Sequence, residues 1–251
     1  MKRNIQKILH LFGYEIKRWR ADQAEIDRRN KDHQEMLDYI HRNKWLTNIG
    51  FKSVLDIGAN TGQFAKKIRL LLPEAAIFSF EPIPSVFEKL KENFKDDVNF
   101  TAYNVGLGDK NGTEDFYLNE FSDSSSFLKM KDLHKENFPP TVNESKIELK
   151  MCRLDDLIRI EQLSTPYLIK LDVQGLEEKV IKGGKKIIEN AEYIITEVSF
   201  VELYENQPLF DKIYNILKQM NFQYMGNFDQ LSSYISSEIM QADAIFKKIR
   251  N

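Results

Sequence analysis

In Val54-Leu55-Asp56-Ile57-Gly58-Ala59-Asn60-Thr61-Gly62-Gln63-Phe64 an apolar run carries a carboxylate into a glycine turn, and a helical pattern leads out of it. Glycine lets a backbone come close to a ligand, and the first turn of a helix offers free N–H groups. Open α/β sheets bind their ligands at such turns, beyond the carboxyl ends of the strands. A second acid, Glu81, ends the next apolar run 23 residues after Gly58 and is followed by Pro82. A carboxylate at that place accepts hydrogen bonds from both hydroxyls of a ribose; its alternative role is to cap the helix that follows. Two nucleoside cofactors fit this plan. Dinucleotides call for G-x-G-x-x-G, whose second glycine admits the pyrophosphate. Here Ala59 and Asn60 follow Gly58, and the next glycine is Gly62. S-adenosylmethionine has a ribose and an adenine but no pyrophosphate, and its amino-acid end suits a roomy loop with Asp56, Asn60 and backbone amides. The residues favour a methyl donor over a hydride carrier.

Later acids supply a second kind of chemistry. Asp172 and Glu197 end two further apolar runs, and His134 is the histidine that falls in the body of the chain. An alcohol attacking a sulfonium methyl must be held about 3–3.5 Å away and in line with the C–S bond. It must also lose its proton at or near the transition state. Asp172, Glu197 and His134 are the candidate bases. Glu177 has a competing role as an acid in the first turn of a helix. Lys170, two residues before Asp172, reads as a structural residue pointing to the opposite face.

Elements that alternate between strand and helix must position these groups. Strands are expected at Ser53–Ile57, Ala76–Phe80, Val98–Val105, Phe116–Asn119, Lys146–Arg153, Tyr167–Asp172 and Tyr193–Val198. Helices are expected at Phe64–Leu72, Pro84–Phe94, Glu177–Asn190 (disturbed by Gly183 and Gly184) and Leu209–Met220. Alternation of this kind is the signature of a parallel α/β sheet. The final strands, Phe222–Asn227 and Ala242–Lys248, have no helix-length pattern between them and are expected to pair antiparallel. The polar stretch 120–145, with Ser124, Ser125, Ser126, Pro139 and Pro140, reads as a long loop or lid.

Four stretches together resemble the FkbM-type family of class I methyltransferases: Asp56-Ile57-Gly58-Ala59-Asn60-Thr61-Gly62, Phe80-Glu81-Pro82, Asn104-Val105-Gly106-Leu107-Gly108-Asp109 and Ile169-Lys170-Leu171-Asp172-Val173-Gln174-Gly175-Leu176-Glu177. Leu154-Asp155-Asp156 and Asp243-Ala244-Ile245-Phe246 add to the resemblance, which spans about residues 51–249. It implies a Rossmann-like seven-stranded sheet with its last strand reversed. It also implies methyl transfer from S-adenosylmethionine to a hydroxyl oxygen of a sugar, a glycan or a natural product. Asp56, Gly58, Asn60, Gly62, Phe64, Glu81 and Pro82 are then expected to bind the cofactor, with Asn104 and Val105 beside the adenine. The family pattern Asp-x-Glu-Gly-x-Glu has Gln174 in place of its first glutamate. Glutamine cannot act as a base, and Mg²⁺ prefers carboxylate oxygens, so no metal site is expected. The same glutamine keeps a non-catalytic cofactor-binding protein as an alternative.

Composition bounds these readings. The chain has 251 residues, 42% hydrophobic and 29% charged, which suits one globular domain with a short appendage. Residues 51–251 are read as the catalytic domain and 1–50 as a helical extension. One cysteine, Cys152, excludes an intramolecular disulfide and a Cys-based zinc site. The formal net charge of −2 argues against a nucleic-acid partner. No apolar run approaches the ~18 residues of a membrane span, and the basic N-terminus lacks the apolar core of a secretory signal. A cytoplasmic enzyme is expected. Residues 21–47 read as a polar helix with Met36, Leu37, Ile40 and Trp45 inward.

The first 20 residues carry six basic side chains and one acid, Glu15. Ile5, Ile8, Leu9, Phe12, Ile16 and Trp19 share one face at ~100° per residue, although Gly13 weakens the helix by ~1 kcal/mol relative to alanine. The stripe either packs on protein or lies on an anionic membrane surface, where each Lys or Arg gains about 1 kcal/mol. In the membrane reading, deleting residues 1–20 leaves melting temperature and cofactor affinity unchanged but abolishes sedimentation with anionic vesicles. A sharp fall in melting temperature on deletion, with vesicles ignored at low salt, assigns the stripe to packing.

Overall fold

The computed structural model describes residues 25–28, 31, 34, 36–119, 125–137 and 144–250, without the side chains of 134–136 and 144. The amphipathic stretch 1–20 and Ser124, Pro139 and Pro140 lie outside the described residues. The chain divides into two compact units, Met1–Asn48 and Ile49–Asn251. In the first, residues 36–42 are helical, and Asn43 Nδ2 donates to Tyr39 O at 2.9 Å before a short helix α1 (Lys44–Ile49) begins. Leu37, expected inward, is 44% exposed, and Leu46 is the buried residue of α1. Among the described residues, no helix is long and apolar enough to cross a membrane.

The second unit runs β1 (Ser53–Ile57), α2 (Gln63–Leu71), β2 (Ala76–Phe80), α3 (Pro84–Asn93), β3 (Phe100–Tyr103), β4 (Gly106–Leu107) and β5 (Gly112–Asn119). It continues with α4 (Asp132–Asn137), β6 (Glu144–Cys152), α5 (Leu154–Leu157), β7 (Tyr167–Leu171), α6 (Glu177–Gly183) and α7 (Lys185–Glu189). The last elements are β8 (Tyr193–Ser199), α8 (Phe210–Gln219), β9 (Phe222–Ser232) and β10 (Ile239–Lys248). Seven strands form one sheet in the order β3-β2-β1-β7-β8-β10-β9, and the last strand in the sequence, β10, runs antiparallel to both neighbours. Strands β1 and β7 are buried at every position, as strands covered on both faces must be.

Register is what builds the site. Ile57 is level with Phe80 and with Leu171, and Leu171 is level with Thr196. The residues that follow these four, Gly58, Glu81, Asp172 and Glu197, therefore emerge in one row at the carboxyl edge of the sheet. Asp243, on β10, lies opposite Glu197 and completes the row.

Several elements differ from the sequence reading. The strand expected at 98–105 shrinks to β3: Val98 is 95% exposed, and Asn104 breaks the strand by donating its amide to Glu81 O and Pro82 O at 2.9 and 3.0 Å. Gly106 and Leu107 then join a second sheet, β4-β6-β5. The helix expected at 177–190 is two, broken at Gly184, whose φ of −115° and ψ of 25° leave the helical region; a Cβ on Gly183 would stand 1.8 Å from Gly108 O and one on Gly184 would meet Leu154. The described part of 120–145 is a docked segment: Ser126 bridges to Tyr117, Met130 bridges to Tyr204, and α4 follows. The final hairpin is longer than expected: β9 keeps its alternation through Phe228 and runs on to Ser232, and β10 begins at Ile239.

Gly58 has φ +83°, and a Cβ there would fall 1.7 Å from the Asp172 carbonyl oxygen. Gly58→Ala is expected to cost about 3 kcal/mol or more, seen as a fall of at least ~6 °C in melting temperature.

Candidate active site

A cavity of about 290 Å³ opens at the carboxyl edge. Asp56, Gly58, Asn60 and Phe64 line it from β1 and the turn into α2; Glu81 and Pro82 line it from the end of β2; Val105 follows β3. Lys170, Asp172 and Gln174 line its other side, while Phe116, Ser125 and Phe127 border it from the second sheet and the segment after it. Phe116 and Phe127 meet edge to face at 4.7 Å, and Phe116 packs in one buried cluster with Ile83, Val86 and Leu149.

The turn after β1 does not offer its amides to a ligand. Gly58 N and Ala59 N donate to Phe80 O at 3.1 and 3.0 Å, and Gly62 N donates to Ala59 O at 2.8 Å. Asn60 N donates to Glu81 Oε2 at 3.0 Å and Thr61 N to Asn60 Oδ1 at 2.7 Å. Five successive N–H groups are thus satisfied inside the protein. This corrects the expectation of loop amides as ligand donors. What faces the cavity is acceptor oxygen. Asp56 is 2% exposed, and its Oδ2 is buried with no hydrogen-bond partner. Glu81 is 5% exposed; besides Asn60 N it accepts Ile83 N on Oε1 at 2.8 Å. It therefore does brace the residue that begins α3, the alternative role read from the sequence, while still lining the cavity.

Two of the expected cofactor residues stand behind the lining. Gly62 is the left-handed residue before α2, where a Cβ would strike the Phe94 ring at 2.4 Å. Asn104 pins the Glu81-Pro82 backbone through the two bonds described above. Of the candidate bases, Asp172 lines the cavity, whereas Glu197 lies further back in the acid row. His134 is on α4, and its side chain is outside the described residues.

Lys170 and Asp172 are not on opposite faces. Asp172 leaves the strand where β7 ends, and Lys170 Nζ bonds its Oδ2 at 3.2 Å and Asp243 Oδ1 at 2.9 Å. Burial alone would lower the Lys170 pKa, but Asp172 and Asp243 outweigh it, and the ammonium is held above the usual lysine range. Burial pushes the Asp56 carboxyl up to about 7; Lys170 opposes this and Asp172 adds to it. Burial lifts Glu177 to about 7 as well, although its Oε1 accepts from Val173 N and Gly175 N at 3.1 and 3.3 Å. Glu177 thus braces the turn between β7 and α6. Burial, then Asp172 and Glu177, holds Glu197 well above the carboxylate range, and its Oε2 has no partner. Among the described residues, no group of His, Cys, Asp and Glu has the arrangement of a metal site.

Sequence reasoning passed over three members of this network. Asp243 stood only in a family-like stretch without a role, Lys170 was assigned to the wrong face, and Tyr204, which donates to Gln174 Oε1 at 2.8 Å, had no signal.

Comparison with known proteins gives concordant matches. The model of the methyltransferase FkbM domain matches residues 56–224. The 2-O-methyltransferase NoeI of Sinorhizobium fredii is 32% identical over 181 residues, covering 70% of this chain and 74% of its own. The hexuronic acid methyltransferase AglP of Haloferax volcanii is 27% identical over 57% of this chain and 54% of its own. The 31-O-demethyl-FK506 methyltransferase FkbM of Streptomyces tacrolimicus is 24% identical over 76% of this chain and 79% of its own.

A titration test follows from Asp56. Its folded pKa of about 7 exceeds the ordinary 3.8, so the native state binds its proton more tightly than the unfolded chain does. Its contribution is full below pH ~4 and is lost as pH rises through ~7. Asp56→Asn should therefore raise melting temperature relative to the unsubstituted protein more at pH ~8 than at pH ~4, by ~3 °C or more. Glu177 keeps the same sense of dependence in the variant. Melting curves across the range check this; a difference that does not change with pH contradicts it.

Proposed function

The chain belongs to the FkbM family of methyltransferases, and on that basis we propose that it moves a methyl group from S-adenosylmethionine to a hydroxyl oxygen of a sugar or glycan-type acceptor. The observation that carries this reading is the run of five internally bonded amides, Gly58 to Gly62, which leaves an edge of acceptor oxygens. A pyrophosphate needs N–H donors at such a turn; a sulfonium and ammonium ligand with two ribose hydroxyls needs acceptors and negative charge. Residues 51–251 form the catalytic domain in this reading.

The residues present fit the cofactor. Glu81 lines the cavity, and a carboxylate there is the acceptor type that two ribose hydroxyls require. The unpartnered Asp56 Oδ2 suits a cationic end, and Gly58 keeps the turn clear of any side chain. Bound there, S-adenosylmethionine supplies a methyl whose C–S electron pair departs with the sulfur. The chain's own part is to orient the acceptor hydroxyl and take its proton. Asp172 is placed for both: it lines the cavity, Lys170 holds one of its oxygens, and its remaining lone pairs accept the acceptor O–H. A weak base suffices, because that proton becomes strongly acidic as oxygen bonds carbon. Glu197, whose carboxyl is held well above the usual carboxylate range by burial and then by Asp172 and Glu177, serves better as a hydrogen-bonding partner than as the base. The identity of 32% with a 2-O-methyltransferase and 27% with a hexuronic acid methyltransferase supports a sugar acceptor. A secondary-metabolite acceptor is the second reading, favoured by the relative that acts on 31-O-demethyl-FK506.

Calorimetry and a labelled-methyl assay test the proposal. Glu81→Ala should weaken S-adenosylmethionine binding at least ~10-fold, because each charge-assisted hydrogen bond contributes ~1.5–3 kcal/mol. Unchanged affinity in a folded variant would remove Glu81 from the cofactor site. Label should pass to oligosaccharide hydroxyls in EDTA as fast as in Mg²⁺; loss of activity in EDTA with recovery in Mg²⁺ would overturn the metal-free reading.

A further inference from the structure

Asp172 is held on both oxygens. Its Oδ2 accepts from Lys170 Nζ at 3.2 Å, and its Oδ1 accepts from Gln174 Nε2 at 3.0 Å. Gln174 is itself fixed. Its Oε1 accepts from Tyr204 OH at 2.8 Å, and its carbonyl oxygen accepts from Ser126 Oγ at 2.7 Å. Its φ is +52°, a left-handed conformation that a glutamine keeps only when its surroundings impose it. Tyr204 is fully buried in a cluster with Met130, Leu203 and Met240. We propose that Gln174 is a positioning residue for methyl transfer, passing the fixed orientation of the Tyr204 hydroxyl to the Asp172 carboxylate so that its free lone pairs stay turned toward the acceptor hydroxyl. This rests on the reading of Asp172 as the base.

Amide chemistry makes the relay work. An amide accepts on its oxygen and donates on its nitrogen, whereas an ionised carboxylate only accepts. The residue that departs from the Asp-x-Glu-Gly-x-Glu pattern is thus the residue type that can join a tyrosine hydroxyl to an aspartate without taking up a proton. Lys170 is on Asp172's own strand, and the charged groups facing it from neighbouring elements are Asp56 on β1, Glu197 on β8, Asp243 on β10 and Glu177 on α6. All four neighbours are acids. A glutamate at 174 would add a further anion next to Asp172 Oδ1, and only its protonated form could donate there.

The test uses the full chain with Gln174→Glu, Gln174→Ala and Tyr204→Phe. Gln174→Glu should run at least ~10-fold below the unsubstituted enzyme in kcat at pH ~8, in line with the loss of a hydrogen bond to a charged group. The deficit should shrink to ~3-fold or less near pH ~5.5, where the introduced carboxyl carries a proton. Affinity for S-adenosylmethionine should change less than ~3-fold, and Tyr204→Phe should add little to Gln174→Ala, as expected of residues acting through one chain. A readout independent of turnover is the Asp172 carboxyl titration by carbon-detected NMR, which should move upward in Gln174→Ala and in Tyr204→Phe. A deficit in Gln174→Glu that is the same at every pH, or an Asp172 titration that neither variant moves, overturns the proposal. If the unsubstituted protein binds S-adenosylmethionine but methylates no hydroxylated acceptor, the base reading fails separately, and the titration alone decides whether the relay exists.

Discussion

Lys170 Nζ stands between Asp172 and Asp243, 3.2 and 2.9 Å away, with Asp56, Glu177 and Glu197 close enough to feel the same charges. Five acids at the end of a sheet repel one another, and one buried ammonium cannot neutralise them all. The balance is reached by dividing them. Asp172 and Asp243 share the ammonium, while burial drives Asp56, Glu177 and Glu197, and Asp243 against the pull of Lys170, toward their protonated forms. The Lys170 side chain is only 6% exposed, so removing a carboxylate leaves a buried charge less compensated. The arrangement of this part of the edge therefore depends on the one lysine, which holds Asp172 where it lines the cavity.

The turn after β1 shows how little a glycine pattern says about a ligand until its hydrogen bonds are traced. Phosphate-binding turns aim their amides outward. Here Phe80 O, Glu81, Asn60 and Ala59 O take those amides, so the glycines serve close packing: Gly58 against Asp172 O and Gly62 against Phe94. Glu81 then has two tasks. It ties the turn to the start of α3 and presents oxygen to the cavity, which couples the shape of the site to the helix beside it.

The parallel core was legible because β1, β2, β7 and β8 are short apolar runs separated by helical periods, and the row of Gly58, Glu81, Asp172 and Glu197 follows from their register. Tertiary contacts that leave no periodic trace were not legible. Tyr204 joins the site from an irregular segment between β8 and α8. Asp243 arrives on an antiparallel strand whose neighbours are apolar. Lys170 was put on the wrong face by a miscounted period: residues two apart on a strand share a face, as the bond from Lys170 to Asp172 shows. Gln174 drew notice as a missing carboxylate; its bonds to Asp172 and Tyr204 show what the amide supplies instead.

At Gly108 and Gly183 two backbones meet with no room for a methyl group between them. That contact lies between the segment leaving β4 and the end of α6, and Leu107 of β4 adds a side chain to the core of the larger sheet. Where main chain meets main chain there is nothing to adjust, and a side chain at Gly183 is barred. The wall carrying Phe116, with Ser125 and Phe127 in the segment after it, faces the cavity from elements other than those that carry the acid row. A fold built this way can change what it admits without retuning what it does, and new acceptor preferences are open to it through a handful of wall substitutions.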